Sequence, residues 1–233
     1  MNRRQCLRRG RQLAERERYL RERYIVDPAC FAGWNPRTRD DAAAYVGLLH
    51  AEVEHSVESL VWQMLEEAHR QSRAFGPHPV LVNGCVYMRS QMHGRFAKLE
   101  TIGKRSLLES NQIYTLKAWE EQGAREYWRQ RIDRNSGAGE KYLSGLCHPL
   151  GIAVSSADMK PYISSGVIFM KRTAMISPTE LMEFVELRGS AMHVGTEGFG
   201  ERIKLMSPQA LVGRGTTAVD VVKRLCVAFS RLI

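Results

Sequence analysis

The chain lacks most of the patterns that announce a function directly. Its 233 residues include five cysteines, Cys6, Cys30, Cys85, Cys147 and Cys226. They are odd in number and widely scattered, and no C-x-x-C pair occurs. This argues against a zinc-finger cage or a disulfide framework and points to a reduced, cytoplasmic protein. No uninterrupted apolar run is long enough to span a bilayer. The basic N-terminus is not followed by the apolar run of a secretory signal. No G-x-S-x-G nucleophile elbow occurs. "TIGKRS" ends like a phosphate-binding loop, but Lys98 stands where the first glycine is required, five residues before Gly103. Internal repeats and low-complexity tracts are also missing.

What is present is an ordinary globular composition, 44% hydrophobic and 25% charged, on a chain long enough to bury a real core. The net charge of +9 is unevenly spread, because residues 1–23 hold nine arginines against three glutamates. Arginine prevails over lysine there, and its planar fork suits phosphate oxygens. Glu15, Glu17 and Glu22 interleave with these arginines, so a solvated, salt-bridged helix fits the same segment equally well. Residues 1–33 are therefore expected to form a basic helical N-terminal extension, and residues 34–233 the main domain.

Helical spacing dominates that domain. "DPACFAGWNPR" breaks the first helix, and Thr38 or Asp40 is placed to cap a long second one running to about Ser72. Its core stripe is Tyr45, Leu49, Val53, Val57, Leu60 and Met64. A third helical region is expected within Leu107–Ile132, and a short helix in "EKYLSGLCHPLGI". "SSGVIFMKRTAMIS" fits strand or helix. Ser177, Pro178 and Glu180 form a capping box with proline at the first helical position, opening "SPTELMEFVELR". A glycine-rich loop is expected over Gly195–Gly215, then a last helix from Thr217 and Asp220 with Ala218, Val222, Leu225, Phe229 and Leu232 on one face. The class is mainly α.

Two E-x-x-H pairs, Glu52–His55 and Glu66–His69, have the spacing of half a di-iron site. They share one helix at about 21 Å separation, whereas such sites draw ligands from facing helices, so no metal is expected. His50 and Glu54 read as an i, i+4 pair on that helix's surface. Arg89 and His93 read as a surface or loop pair. The unusual feature is "ELRGSAMHVG". With Leu181 at zero and 100° per residue, Phe184 falls at about 300°, Arg188 at about 340°, Met192 at about 20° and Val185 at about 40°. A permanent cation thus lies within an apolar stripe, with His193 five residues later. Five residues diverge by about 140°, so on a straight helix the pair does not converge on one phosphate. Either the helix deforms at Gly189, or two chains combine their residues.

"LMEFVELRGSAMHVG" resembles the R-x4–6-H segment of the HEPN superfamily. "YVGLLHAEVEHSVESLVWQML" is similar to the long early helix of the bacterial MAE and RiboL-PSP-type members. "NSGAGEKYLSGLCHPLGI" and "TAVDVVKRLCVAFSRLI" are similar to the segment before the motif helix and to the closing helix. The likeness spans roughly residues 38–233, thinly in the middle. It implies a HEPN-like bundle of four or more helices behind the N-terminal extension. It further implies a homodimeric endoribonuclease, free of metal and other cofactors, with Arg188 and His193 as its catalytic residues. RNA is the implied partner, with an antitoxin or other anti-phage defence protein in the same system, and no membrane. Gly189 departs from the asparagine or other polar residue common in the family at that position. The runner-up is a non-catalytic HEPN protein that binds RNA or a partner protein, and a third reading is a helical scaffold without nucleic-acid function.

Overall fold

The computed structural model describes residues 3–75, 78, 80, 128, 129, 132, 133, 137, 139–147, 150, 152, 154, 179–193 and 195–232. Most of these lie in six α-helices: α1 (Arg3–Tyr24), α2 (Pro36–Phe75), α3 (Glu140–Cys147), α4 (Thr179–His193), α5 (Gly195–Lys204) and α6 (Pro208–Phe229). No β-strand occurs among the described residues. The third helical region, "SSGVIFMKRTAMIS", the Ser177–Pro178 cap, Arg89 and His93 lie outside the described residues, except for the helical positions 128, 129 and 132.

The 40-residue α2, about 60 Å long at the usual rise, is the spine. Every other described helix packs on it, α1, α4 and α6 most extensively and α5 and α3 less so, and α1 and α4 also pack on α6. The predicted stripe from Tyr45 to Met64 is fully buried. The start of α2 differs from the expectation. Asn35, not Thr38 or Asp40, is the cap: its Oδ1 accepts from Thr38 N–H at 3.0 Å, and Thr38 Oγ1 accepts from Asn35 N–H at 2.9 Å. Pro36 follows at the first helical position, where its missing N–H costs nothing.

Helix α1 buries Cys6, Gly10, Leu13, Glu17 and Leu20, a 4-3-4-3 spacing that makes one seam along the helix. This seam lies against α6 and α2. At Gly10, an added Cβ would stand 3.3 Å from Lys223 Cγ and 3.5 Å from Cys226 Sγ, so the backbones of α1 and α6 approach closely there. Glu17, the one buried acid of α1, accepts a hydrogen bond from Tyr45 Oη at 3.1 Å. Burial, reinforced by this carboxylate, pushes the Tyr45 phenol far above its ordinary value, so it stays a donor. The connection from α1 to α2 is also docked. Asp27 caps the turn Pro28–Cys30, and Trp34 Nε1 donates to Met206 O at 2.7 Å.

The expected glycine-rich loop is instead two helices. α5 forms despite its three glycines because Phe199 and Ile203, one turn apart, are both buried. α6 begins at Pro208, not Thr217, under a Ser207 cap whose hydroxyl accepts from Ala210 N–H. Its buried face carries the predicted Ala218, Val222, Leu225 and Phe229, preceded by Leu211 and Gly215. No helix among the described residues is long and apolar enough to cross a membrane.

Candidate functional site

α4 runs unbroken through Gly189 to His193. The deformation that would bring Arg188 and His193 together within one chain is therefore not seen. On a continuous helix positions 188 and 193 point about 140° apart. Position 193 falls on the face of Met182 and Glu186, away from the α2 contact. The backbone of His193 closes α4, and its side chain lies outside the described residues.

The buried stripe of α4 is rotated from the expected one. Leu181, Phe184, Leu187 and Ser190 are buried, whereas Met192 is 60% exposed. Arg188 consequently stands at the margin of the stripe and is half-buried. Its neighbours on the i±4 ridge fix its surroundings. Phe184 stacks on His50 of α2, with ring centroids 6.4 Å apart at 27°. The Met192 Sδ lies 3.6 Å from where a Cβ on Gly47 would stand. Arg188, midway along that ridge, is one turn from each contact.

The electrostatics of α4 set this arginine apart. Glu183 pairs with Arg214 of α6 at 3.5 Å, and Glu186 with Arg202 of α5 at 3.8 Å. Arg202 also reaches the Glu186 carbonyl at 3.5 Å and ties α5 back onto α4. Ser190 Oγ donates to the same carbonyl at 3.1 Å, which satisfies its buried hydroxyl. These acids are engaged by other arginines, and Arg188 has no acidic partner among the described residues.

His50 was misread from sequence as a surface residue. It is only 1% exposed, packed on Phe184 and close to Gly137, where φ is 117° and an added Cβ would stand 3.9 Å from the His50 Cε1. Its Nδ1 lies 3.4 Å from Glu54 Oε2, so the i, i+4 pairing stands while its location does not. Its Nε2 is buried without a hydrogen-bond partner among the described residues. The missed signal is register: position 50 falls between Val46, Val53 and Val57 on the buried side of α2. The two E-x-x-H pairs stay apart. Glu52 is bound by Arg16 of α1 at 2.9 Å, while Glu66 and His69 line a shallow polar depression with Gln5 and Arg73. Among the described residues no group of three or more His, Cys, Asp or Glu side chains is placed to hold a metal ion. Comparison with protein-family models, with curated proteins and with solved structures finds no match for this chain.

Proposed function

We propose that the protein is a metal-independent endoribonuclease of the HEPN type, with Arg188 and His193 as its catalytic residues. The observation that carries this reading is Arg188 itself: half-buried beside the α2 seam and free of an acidic partner among the described residues, while Glu183 and Glu186 of α4 are engaged elsewhere. The 2′-oxygen of the RNA attacks the adjacent phosphorus, and the bond from phosphorus to the 5′-oxygen breaks. His193 takes the 2′-hydroxyl proton or supplies one to the leaving 5′-oxygen. Arg188 stabilises the added charge on the phosphorane. The products are a 2′,3′-cyclic phosphate and a 5′-hydroxyl end. The continuity of α4 supports a site assembled from two copies, since one straight helix directs its positions 188 and 193 apart. A toxin–antitoxin or anti-phage setting belongs to the same proposal.

A second reading, RNA binding without cleavage, is favoured by Gly189 at the position after the motif arginine. Incubating the protein with total RNA, beside His193→Ala, separates the two. Cyclic-phosphate and 5′-hydroxyl ends that disappear in the variant and persist with EDTA are expected. Ends bearing 5′-phosphate, or loss of activity with EDTA, refute the mechanism.

A further inference from the structure

The seam of α1 determines where its arginines point. With Cys6, Leu13 and Leu20 turned into the bundle, Arg4, Arg8 and Arg11 fall on the opposite face, within about 40° of the outward direction. All three are exposed, and none has an acidic partner among the described residues. They span about 10 Å along the helix. Glu15 follows on the same face and confines the unopposed charge to the first turns. Beyond it stands Tyr19, 47% exposed, with Arg16 at 5.1 Å over its ring and Arg23 Nη1 donating to its hydroxyl at 3.1 Å. One rigid helix face thus offers a cationic track followed by an aromatic platform flanked by guanidinium groups.

We infer that this face of α1 binds single-stranded RNA, with phosphates on Arg4, Arg8 and Arg11 and a base stacked on Tyr19. The ligand class rests on the RNA-cleaving reading of Arg188 and His193; the surface does not. Each cation of α1 is an arginine, whose fork engages two phosphate oxygens. A stacking side chain beside a basic track suits a strand with free bases. A lipid surface fits poorly, because the apolar stripe that an interfacial helix would insert is sealed against α2 and α6. An acidic protein fits poorly too, since apart from Tyr19 the face offers no large apolar anchor.

The test measures binding of a labelled single-stranded RNA across a salt series by full-length protein carrying His193→Ala, which leaves the probe intact. Arg4→Gln, Arg8→Gln and Arg11→Gln together should flatten the slope of log affinity against log salt by about 2, from roughly 0.7 per lost phosphate contact, and weaken binding on the order of 100-fold near 0.1 M salt. The matching triple lysine variant should keep the slope. Tyr19→Ala should weaken binding by roughly 5- to 150-fold without changing it. Unaltered melting temperatures show that the variants remain folded. An unchanged slope in the glutamine variant overturns the inference. So does arginine-dependent binding to phosphatidylserine vesicles with none to RNA. A flattened slope in a protein that never cleaves RNA upholds this surface and rejects the catalytic reading; cleavage with an unchanged slope does the reverse.

Discussion

Helices α1 and α4 both pack against α2 and α6, and they place arginine on opposite terms. α1 carries nine arginines and buries none; its seam of Cys6, Gly10, Leu13, Glu17 and Leu20 turns all of them outward or to the flanks. α4 carries a single arginine and holds it at the edge of its buried stripe, one turn from the Phe184–His50 stack. Seven exposed arginines with two at the flanks make a field; one half-buried arginine without an acidic partner among the described residues makes a locus. Desolvation strengthens whatever charge interaction the second forms, and salt screens the first. The contrast lies in register, not in the number of charges.

The contrast breaks most visibly in catalysis. His193→Ala should lower the RNA cleavage rate by about 10²–10⁴-fold, the usual loss for a general acid–base group. Arg188→Ala should cost about 10²–10³-fold, and Arg188→Lys less, since lysine keeps the charge without the fork. Arg18→Gln on α1, where Arg18 lies 3.9 Å from Glu22 in an exposed pair, should leave the rate unchanged. Equal rates for Arg188→Ala and Arg18→Gln would erase the distinction between the two helices.

The next effect is on stability and concerns how the α1 side is sealed. At Gly215 of α6 an added Cβ would stand 2.2 Å from Tyr45 Oη and 2.9 Å from Leu49 Cδ2, so the Tyr45–Glu17 contact depends on that glycine. Gly215→Ala should destabilise by about 1–3 kcal/mol in chemical denaturation, as overpacking does. Gly213→Ala, two residues away with nothing within 4 Å, should instead stabilise by about 0.5–1 kcal/mol. Like signs for the two would mean that α2 and α6 are not in close contact at Tyr45.

These glycines also show why parts of the fold were hard to read. The α2 stripe was legible because six apolar residues repeat at helical spacing over five turns. The start of α6 was not, because Gly213 and Gly215 resemble loop residues when their neighbours are unknown. Ser207–Pro208 begins like Ser177–Pro178, but Ala210 stands where the capping box requires a Glu or Gln, so the start signal is weaker. α5 is a weak helix former held by the tertiary burial of Phe199 and Ile203, which no local rule supplies. At the candidate site, periodicity located Arg188 near the buried side but set the stripe too far round, including Met192 and missing Leu187. The burial of His50 is legible in its register with Val46, Val53 and Val57, whereas its stacking partner, the distant Phe184, is not.

Gly189 sharpens the comparison from the α4 side. It sits within the helix, and an added Cβ would meet nothing within 4 Å. Gly189→Ala should stabilise the protein by about 0.5–1 kcal/mol, the ordinary helix-interior difference. Gly189→Asn, which supplies the residue common in the resembling family, should be tolerated and retain cleavage. If both variants kept the fold but lost cleavage, α4 would have to bend at Gly189 in the working enzyme, and a single-chain site would replace the two-copy arrangement.

The smallest effect concerns whether α1 is held by its charges or by its seam. Arg16 Nε lies 2.9 Å from Glu52 Oε1 on α2, but the two side chains are 44% and 35% exposed. Water and salt compete for both groups, and two long side chains must be ordered to form the pair. Its coupling energy, from a double-mutant cycle of Arg16→Gln and Glu52→Gln followed by denaturation, should be below about 1 kcal/mol and shrink as salt is raised. Leu13→Ala in the same helix removes a buried side chain from the seam and should cost about 2–5 kcal/mol. A coupling larger than the Leu13 loss would mean that electrostatic pairing, not burial, docks α1. Arg16 would then be committed to the fold, while Arg4, Arg8 and Arg11, exposed and without an acidic partner among the described residues, would still face an external anion, so the salt slope alone decides the RNA-binding face.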